Sequence, residues 1–253
     1  MAQVILLGTG SAWSGPAREN TYMLVRGATT NFLIDCAGSP AQRLAQIGVS
    51  PAAIDDVILT HNHPDHIYGF PIFMLNAWMA GRRETMNIYG LKETVKAAKM
   101  LLRAVETDNF PNFFKVKYHT VAPNSVTALP SICEFDIAAA PSIHFVPTIG
   151  VRVTDRATGK SFAYSSDTSP THSTVELARG VNRLFHEATT WNTSSEGHSS
   201  ASEAGAIAAE ADVPELVLLH LPPNVDAENW RAAAAESFSG KIVVAKDFDT
   251  FGF

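Results

Sequence analysis

Six residues constrain this chain more than any other stretch. The apolar run Val57–Thr60 leads directly into His61-Asn62-His63-Pro64-Asp65-His66. Three histidines and an aspartate in six positions read as a metal-ligand signature, because imidazole nitrogen and carboxylate oxygen suit zinc and its neighbours. His61 and His63 lie two apart and point the same way in extended backbone. Asp65 and His66 turn onto the start of the next helix, where they can face a second ion. The arrangement differs from HExxH, which needs one face of a helix. Four residues cannot complete two sites, so the fold must bring further ligands to this strand end.

Candidates stand at strand ends downstream. His144 follows Ala138–Ile143, Asp167 ends the run 161–166, and His220 ends the apolar strand Leu216–Leu219. With the hexapeptide they make seven ligands, the number for two four-coordinate ions sharing one carboxylate.

The surrounding pattern is mixed. Strands are expected at Val4–Leu7, in a hairpin of Thr21–Val25 with Asn31–Asp35, and at Val57–Thr60 and Asn87–Tyr89. They dominate from Val116 to Tyr164. Later strands are read at Leu184–Glu187, Leu216–His220 and Ile242–Val244. Helices are expected at Pro40–Ile47, Ile67–Ala80 (apolar almost all round, hence buried), Lys92–Val105, Ser173–Ala178, Ser202–Ala211 and Ala227–Ser237. This order suits two packed sheets covered by helices. With 253 residues and no linker or repeat, a single domain over 1–253 is expected. The net charge of −6 counts against a general nucleic-acid binder. Two cysteines cannot make a disulfide framework, the N-terminus reads as a strand, and no apolar run approaches a membrane span. A cytoplasmic protein with no membrane partner is the expectation.

His61-x-His63-x-Asp65-His66, with His144, Asp167 and His220, resembles the metallo-β-lactamase superfamily. Within it, the likeness is to the ribonuclease Z group of phosphodiesterases. It extends through Leu7-Gly8-Thr9-Gly10-Ser11, Leu33-Ile34-Asp35-Cys36, Ile67-x-Gly69, Tyr164-Ser165-x-Asp167-Thr168, His186-Glu187-Ala188-Thr189, Gly197-His198-Ser199 and Leu219-His220. The resemblance implies an αββα four-layer sandwich of α/β class with a dinuclear site at one edge of the two sheets. It implies one metal on His61, His63 and His144, a second on Asp65, His66 and His220, and Asp167 bridging. It gives His198 the role of proton donor to the leaving group, and Asp65 that of ligand and orienter of the nucleophile. His186 and Glu187 would support the ligands from behind. Zinc is the expected ion, with manganese, iron or nickel as alternatives.

The chemistry expected is attack on phosphorus by hydroxide generated at two divalent cations. Two departures bear on substrate. The 23 positions from His144 to Asp167 leave room for a hairpin but not for the tRNA-gripping arm of the tRNA-processing members. Pro222-Pro223-Asn224 replaces that group's basic-aromatic pair after the last histidine. A small phosphodiester such as a cyclic nucleotide is therefore the leading substrate, and tRNA is disfavoured. The alternatives are a lactone, carboxylic-ester or aryl sulfate hydrolase, a tRNA 3′-processing ribonuclease, and a non-catalytic metal-binding module. A β-lactamase fits less well. Arg18 and Trp13 are candidate pocket walls, as is Trp191. The Phe110, Phe113 and Phe114 segment reads as a lid, a homodimer contact or plain core.

Overall fold

The computed structural model describes residues 2–13 and 15–253; Ser14, within the loop expected from Gly8 to Asn20, lies outside the described residues. Strands β1 (Gln3–Gly8), β2 (Tyr22–Arg26), β3 (Asn31–Ile34), β4 (Asp56–Ile58), β5 (Met86–Gly90) and β6 (Val116–Thr120) join the late β14 (Thr250–Gly252) in one sheet. Its order is β14-β1-β2-β3-β4-β5-β6. Strands β7 (Thr127–Ile132), β8 (Phe135–Pro141), β9 (Ile149–Asp155), β10 (Ser161–Tyr164), β11 (Arg183–Glu187), β12 (Glu215–Leu219) and β13 (Lys241–Val244) form the other. That order is β13-β12-β11-β10-β9-β8-β7. Both sheets are mixed: β3 to β6 run parallel, as do β10 to β13.

Side-chain alternation builds the layers. Val4, Leu6, Phe32 and Ile34 of the first sheet meet Ile137, Val151, Val153, Phe162 and Tyr164 of the second in one buried cluster between the sheets. Leu7, Leu24 and Leu33 face the other way, under α1 (Pro40–Gln46), α3 (Phe70–Met79) and α4 (Lys92–Ala104). Ala163, Leu184, Leu216 and Leu218 pack under α5 (His172–Ala178), α6 (Ala201–Glu210) and α7 (Ala227–Ala235). The result is the expected αββα sandwich. Phe162 anchors the central layer, meeting the rings of Phe185 and Phe253 edge-on at centroid distances of 5.4 and 5.0 Å. Truncating such a residue costs about 3–5 kcal/mol. Phe162→Ala is thus expected to lower the midpoint of denaturant unfolding sharply while leaving the slope unchanged. A midpoint shift equivalent to less than ~1 kcal/mol would mean that this layer collapses around the cavity.

Three readings need correction. The single helix expected over Ile67–Ala80 is two: α2 (Pro64–Ile67) and α3 are separated at Tyr68-Gly69. Pro71, which has no N–H for the ladder, opens α3, and the chain passes close by at the junction: a Cβ on Gly69 would lie 2.7 Å from the Ala37 carbonyl oxygen. Nor is α3 buried all round, because Ile72 and Met79 are 48% and 71% exposed. Arg18 is no free pocket wall: its guanidinium donates to Thr9 Oγ1 at 2.7 Å and to the Ala245 carbonyl, tying the first loop to the C-terminal segment. Among the described residues, no helix is long and apolar enough to cross a membrane.

Candidate metal centre and active site

The candidate ligands gather at the carboxyl ends of parallel strands, where open α/β sheets characteristically place sites. β4 ends at Ile58, and Leu59-Thr60 carries the chain to His61 and His63. Pro64 opens α2 with a pre-set φ, so Asp65 and His66 sit in its first turn. His144 lies in the loop between β8 and β9, Asp167 follows β10, and His220 follows β12 directly. Backbone pairing of Ser11 and Thr9 with Leu221 stitches the two sheets together beside His220.

All seven side chains converge. His61, His63 and His144 form one group whose ligand atoms lie within 4.8 Å of one another, and Asp65, His66, Asp167 and His220 form a second. Asp167 faces both. Its Oδ2 is 3.9 Å from His61 Nε2, 3.9 Å from His144 Nε2 and 3.3 Å from His220 Nε2, while Oδ1 is 3.4 Å from His66 Nε2. Asp65 Oδ2 lies 3.4 Å from both His66 Nε2 and His220 Nε2. The facing nitrogens of His63 and His144 are 2.9 Å apart.

Buried His61 Nε2, His66 Nε2 and Asp167 Oδ1 have no hydrogen-bond partner. An unsatisfied buried polar group costs about 1–3 kcal/mol. Here three such atoms point into two nitrogen- and oxygen-lined clusters, so the residues present fit divalent cations. Burial pushes the imidazoles of His61, His63 and His144 below their ordinary range, leaving them in the neutral form that ligates. Burial opposes ionisation of Asp167, but His220 and His66 overcome it and hold its carboxyl well below the usual range.

A supporting layer fixes the rings. Asp35 Oδ2 is 2.8 Å from His66 Nδ1, while its Oδ1 accepts the Thr60 backbone N–H at 2.8 Å. The Thr60 hydroxyl donates to Asp35, accepts from Ser166 and lies 3.1 Å from His61 Nδ1. The Gly197 carbonyl accepts from His144 Nδ1 at 2.6 Å. Gly197 has φ +73°, and a Cβ there would come within 2.8 Å of the Phe145 ring, so only glycine meets both demands. Glu187 is the hub of the far side. Its Oε1 accepts from His198 Nδ1 at 3.0 Å, and its Oε2 accepts from the Thr189 hydroxyl, which in turn lies 3.1 Å from His220 Nδ1. Asp35, Ser166 and His220 all adopt positive φ, at 63°, 53° and 58°. Such backbone costs of order 1–3 kcal/mol per residue and concentrates at functional sites.

His198 sits beside the cluster, its ring centroid 4.9 Å from that of His144. Glu187 engages Nδ1, leaving Nε2 as the free ring nitrogen. Burial lowers its proton affinity, but the Glu187 carboxylate outweighs burial and raises it above the ordinary histidine value. Phe145 is 61% exposed, with its ring 5.2 Å from His144 and 6.2 Å from His198.

Sequence reasoning named the Asp35 segment without giving Asp35 a task. An outer partner of a ligating histidine typically contributes ~10–100-fold in metal affinity. Asp35→Asn, nearly isosteric, is expected to weaken metal binding by that range without unfolding the chain. Competition against a chelator of known affinity checks it, and an unchanged affinity would remove Asp35 from the support of His66.

This fold and this cluster, taken with the chain's relatives, mark a metal-dependent phosphodiester hydrolase of the metallo-β-lactamase superfamily, in its ribonuclease Z-like subgroup; hydrolases of this fold use divalent metals. The family model described as Anti-Pycsar protein Apyc1 matches residues 2–240, and the chain belongs to that family. It is 32% identical over 275 residues to the ribonuclease Z of Mycobacterium bovis (strain BCG / Pasteur 1173P2), covering 98% of this chain and 96% of that one. Among solved structures, the metallo-β-lactamase fold protein YhfI from Bacillus subtilis superimposes with a TM-score of 0.86 at 24% identity, over 99% of this chain and 98% of that one. The short form of human tRNase Z gives a TM-score of 0.81 at 21% identity, over 99% and 98%.

Proposed function

We propose that the chain, acting as one catalytic unit over 1–253, hydrolyses a small phosphodiester, with a cyclic nucleotide as the leading substrate class. His61, His63 and His144 would hold one cation, Asp65, His66 and His220 the other, and Asp167 both. Zinc is the ion favoured by this nitrogen-rich set. Two bound divalent cations supply an activated water near neutral pH and neutralise charge on the phosphate oxygens. The remaining work falls to the chain. Asp65, at the cluster's second group, orients the incoming nucleophile. Glu187 holds His198 charged and aligned, so that Nε2 can protonate the departing oxygen.

Phe145 carries the substrate assignment. A large, exposed aromatic ring beside two site histidines offers a platform on which a nucleobase can stack, typically worth ~1–3 kcal/mol per base. The short edge of the site supports the same reading. Between His144 and Asp167 the chain makes a seven-residue strand, a turn and a four-residue strand, with no inserted arm to grip a large RNA. Pro223, in the segment that replaces the basic-aromatic pair, packs against Gly15 of the first loop. Cleavage of tRNA precursors is the competing activity, because the Mycobacterium bovis relative is named ribonuclease Z.

The test is a substrate panel on metal-quantified protein: 2′,3′- and 3′,5′-cyclic nucleotides, aryl phosphodiesters, lactones, aryl sulfates and a tRNA precursor. We expect about two metals per chain and turnover of cyclic nucleotides. Phe145→Ala should raise KM for a cyclic nucleotide while sparing a methyl nitrophenyl phosphate that has no base. Cleavage of tRNA precursor or lactone with cyclic nucleotides untouched would overturn the substrate assignment, and a limit of one metal would overturn the dinuclear centre.

A further inference from the structure

A groove of about 1170 Å³ lies between α4 and the β6 edge of the first sheet, and none of the proposed site residues lines it. β6 is the outermost strand of its sheet; among the described residues no strand pairs with its outer edge. The parallel register with β5 uses one alternate set of its backbone groups, with the Lys115 carbonyl accepting from Met86 and the Val121 N–H donating to Gly90. The other set, on Val116, Tyr118 and Thr120, faces outward.

Above this edge runs a cationic row. Lys92, Lys96, Lys99 and Arg103 repeat at helical spacing along α4, all exposed, and Lys115 adds a fifth charge at the start of β6. Among the described residues none of the five forms an ion pair, although the chain as a whole carries −6. Asp108 is the one carboxylate in the lining. Lys99 lies over the Tyr118 ring at 4.7 Å, which ties the row to the strand beneath it. Phe110 and Phe113 wall one end: Phe110 stacks on Trp78, and Phe114 is buried in the core beneath.

We propose that this edge binds an extended acidic polypeptide segment, which adds as an eighth strand outside β6 and lays alternate carboxylates under the α4 cations. The spacings agree. Residues on one face of a strand repeat every ~6.8 Å, and the rises from Lys92 to Lys96, Lys96 to Lys99 and Lys99 to Arg103 are ~6, ~4.5 and ~6 Å. The segment is therefore one with Asp or Glu at every second position over five or more residues. Lysine on an exposed edge repels a like-charged or identical edge, which blunts self-association. The same charges select for an acidic strand, so attraction and rejection come from one feature. Backbone pairing supplies affinity and the charge row supplies choice of partner.

The probe is a fluorescein-labelled peptide of alternating Glu and Val, titrated into the full chain at low and moderate salt. A Lys-Val peptide, the Glu-Val peptide N-methylated at alternate amides, and a single-stranded oligothymidylate serve as comparisons. We expect saturable, salt-sensitive binding of the Glu-Val peptide only. Lys96→Glu with Lys99→Glu, both exposed, should weaken it by ~10-fold or more, one decade corresponding to about 1.4 kcal/mol. N-methylation should weaken it comparably while leaving all its charges in place. Hydrolysis of a chromogenic diester by the double variant should stay at the parent rate. Failure of the peptide to bind would overturn the proposal. Equal binding of the N-methylated peptide would do so too, reducing the groove to a plain charge patch. Tighter, competing binding of oligothymidylate would make it a nucleic-acid groove instead.

Discussion

Replacing Asp167 by alanine is expected to cost more than any other single change at the site. Its carboxylate spans both ligand groups, Oδ1 facing His66 and Oδ2 facing His61, His144 and His220. The side chain is almost wholly buried, so water cannot take its place without a cavity opening. Without it, the cluster keeps one carboxylate, Asp65, and two cations would repel with no shared anion between them. Metal retained after dialysis should fall from about two per chain to one or fewer. Turnover should drop by well over the ~10–100-fold typical of losing a residue behind a ligand, even with metal in excess. Elemental analysis and rate measured on one preparation decide the matter. A variant that keeps two metals and near-parental turnover would show that Asp167 is not the bridge.

Much of this centre was legible because its signal is dense. Three histidines and an aspartate in six residues have few uses other than ligation, and the strand before them fixed where they stand. His144, Asp167 and His220 are ordinary residues one by one; their positions at strand ends made them candidates, and the fold brings them to the same edge. Asp35 was opaque for a physical reason. A single acid after an apolar strand looks like any turn residue, and its left-handed backbone and contact with His66, 31 positions away, exist only in the folded chain.

The fold shows the same division. An unbroken apolar run such as Phe32-Leu33-Ile34 reveals a strand buried on both faces, whereas Thr250-Phe251-Gly252 is too short for any period and is a strand only because β1 pairs with it. The break between α2 and α3 is masked by a run apolar on all sides, although Pro71 within that run has no N–H to give the ladder and so opens a new helix. The α4 cations were plain in the sequence, but a row of charges usually marks a solvated helix face. It takes the free edge of β6 beneath them to suggest anything more.

The second large effect is expected at His198, and it depends on the leaving group. A general acid typically contributes ~10²–10⁴-fold, and it matters most when the departing oxygen is a strong base. His198→Ala should therefore lose activity in that range on a ribose diester, whose alkoxide must be protonated as it leaves. A nitrophenyl diester, whose phenolate departs unaided, should suffer far less, and metal content should stay at the parental level. The pH dependence follows from Glu187. That carboxylate keeps His198 protonated above its ordinary range, so the acid is competent below its raised pKa and fails as pH rises through it. Glu187→Gln removes the charge but keeps a hydrogen-bonding partner. The alkaline fall in kcat on the ribose diester should then move to lower pH, while the nitrophenyl diester shows little change in that limb. Equal losses on both substrates in His198→Ala would instead assign the ring to binding a phosphate oxygen. A loss of metal would assign it to supporting His144 or His220, its neighbours at 4.9 and 5.5 Å.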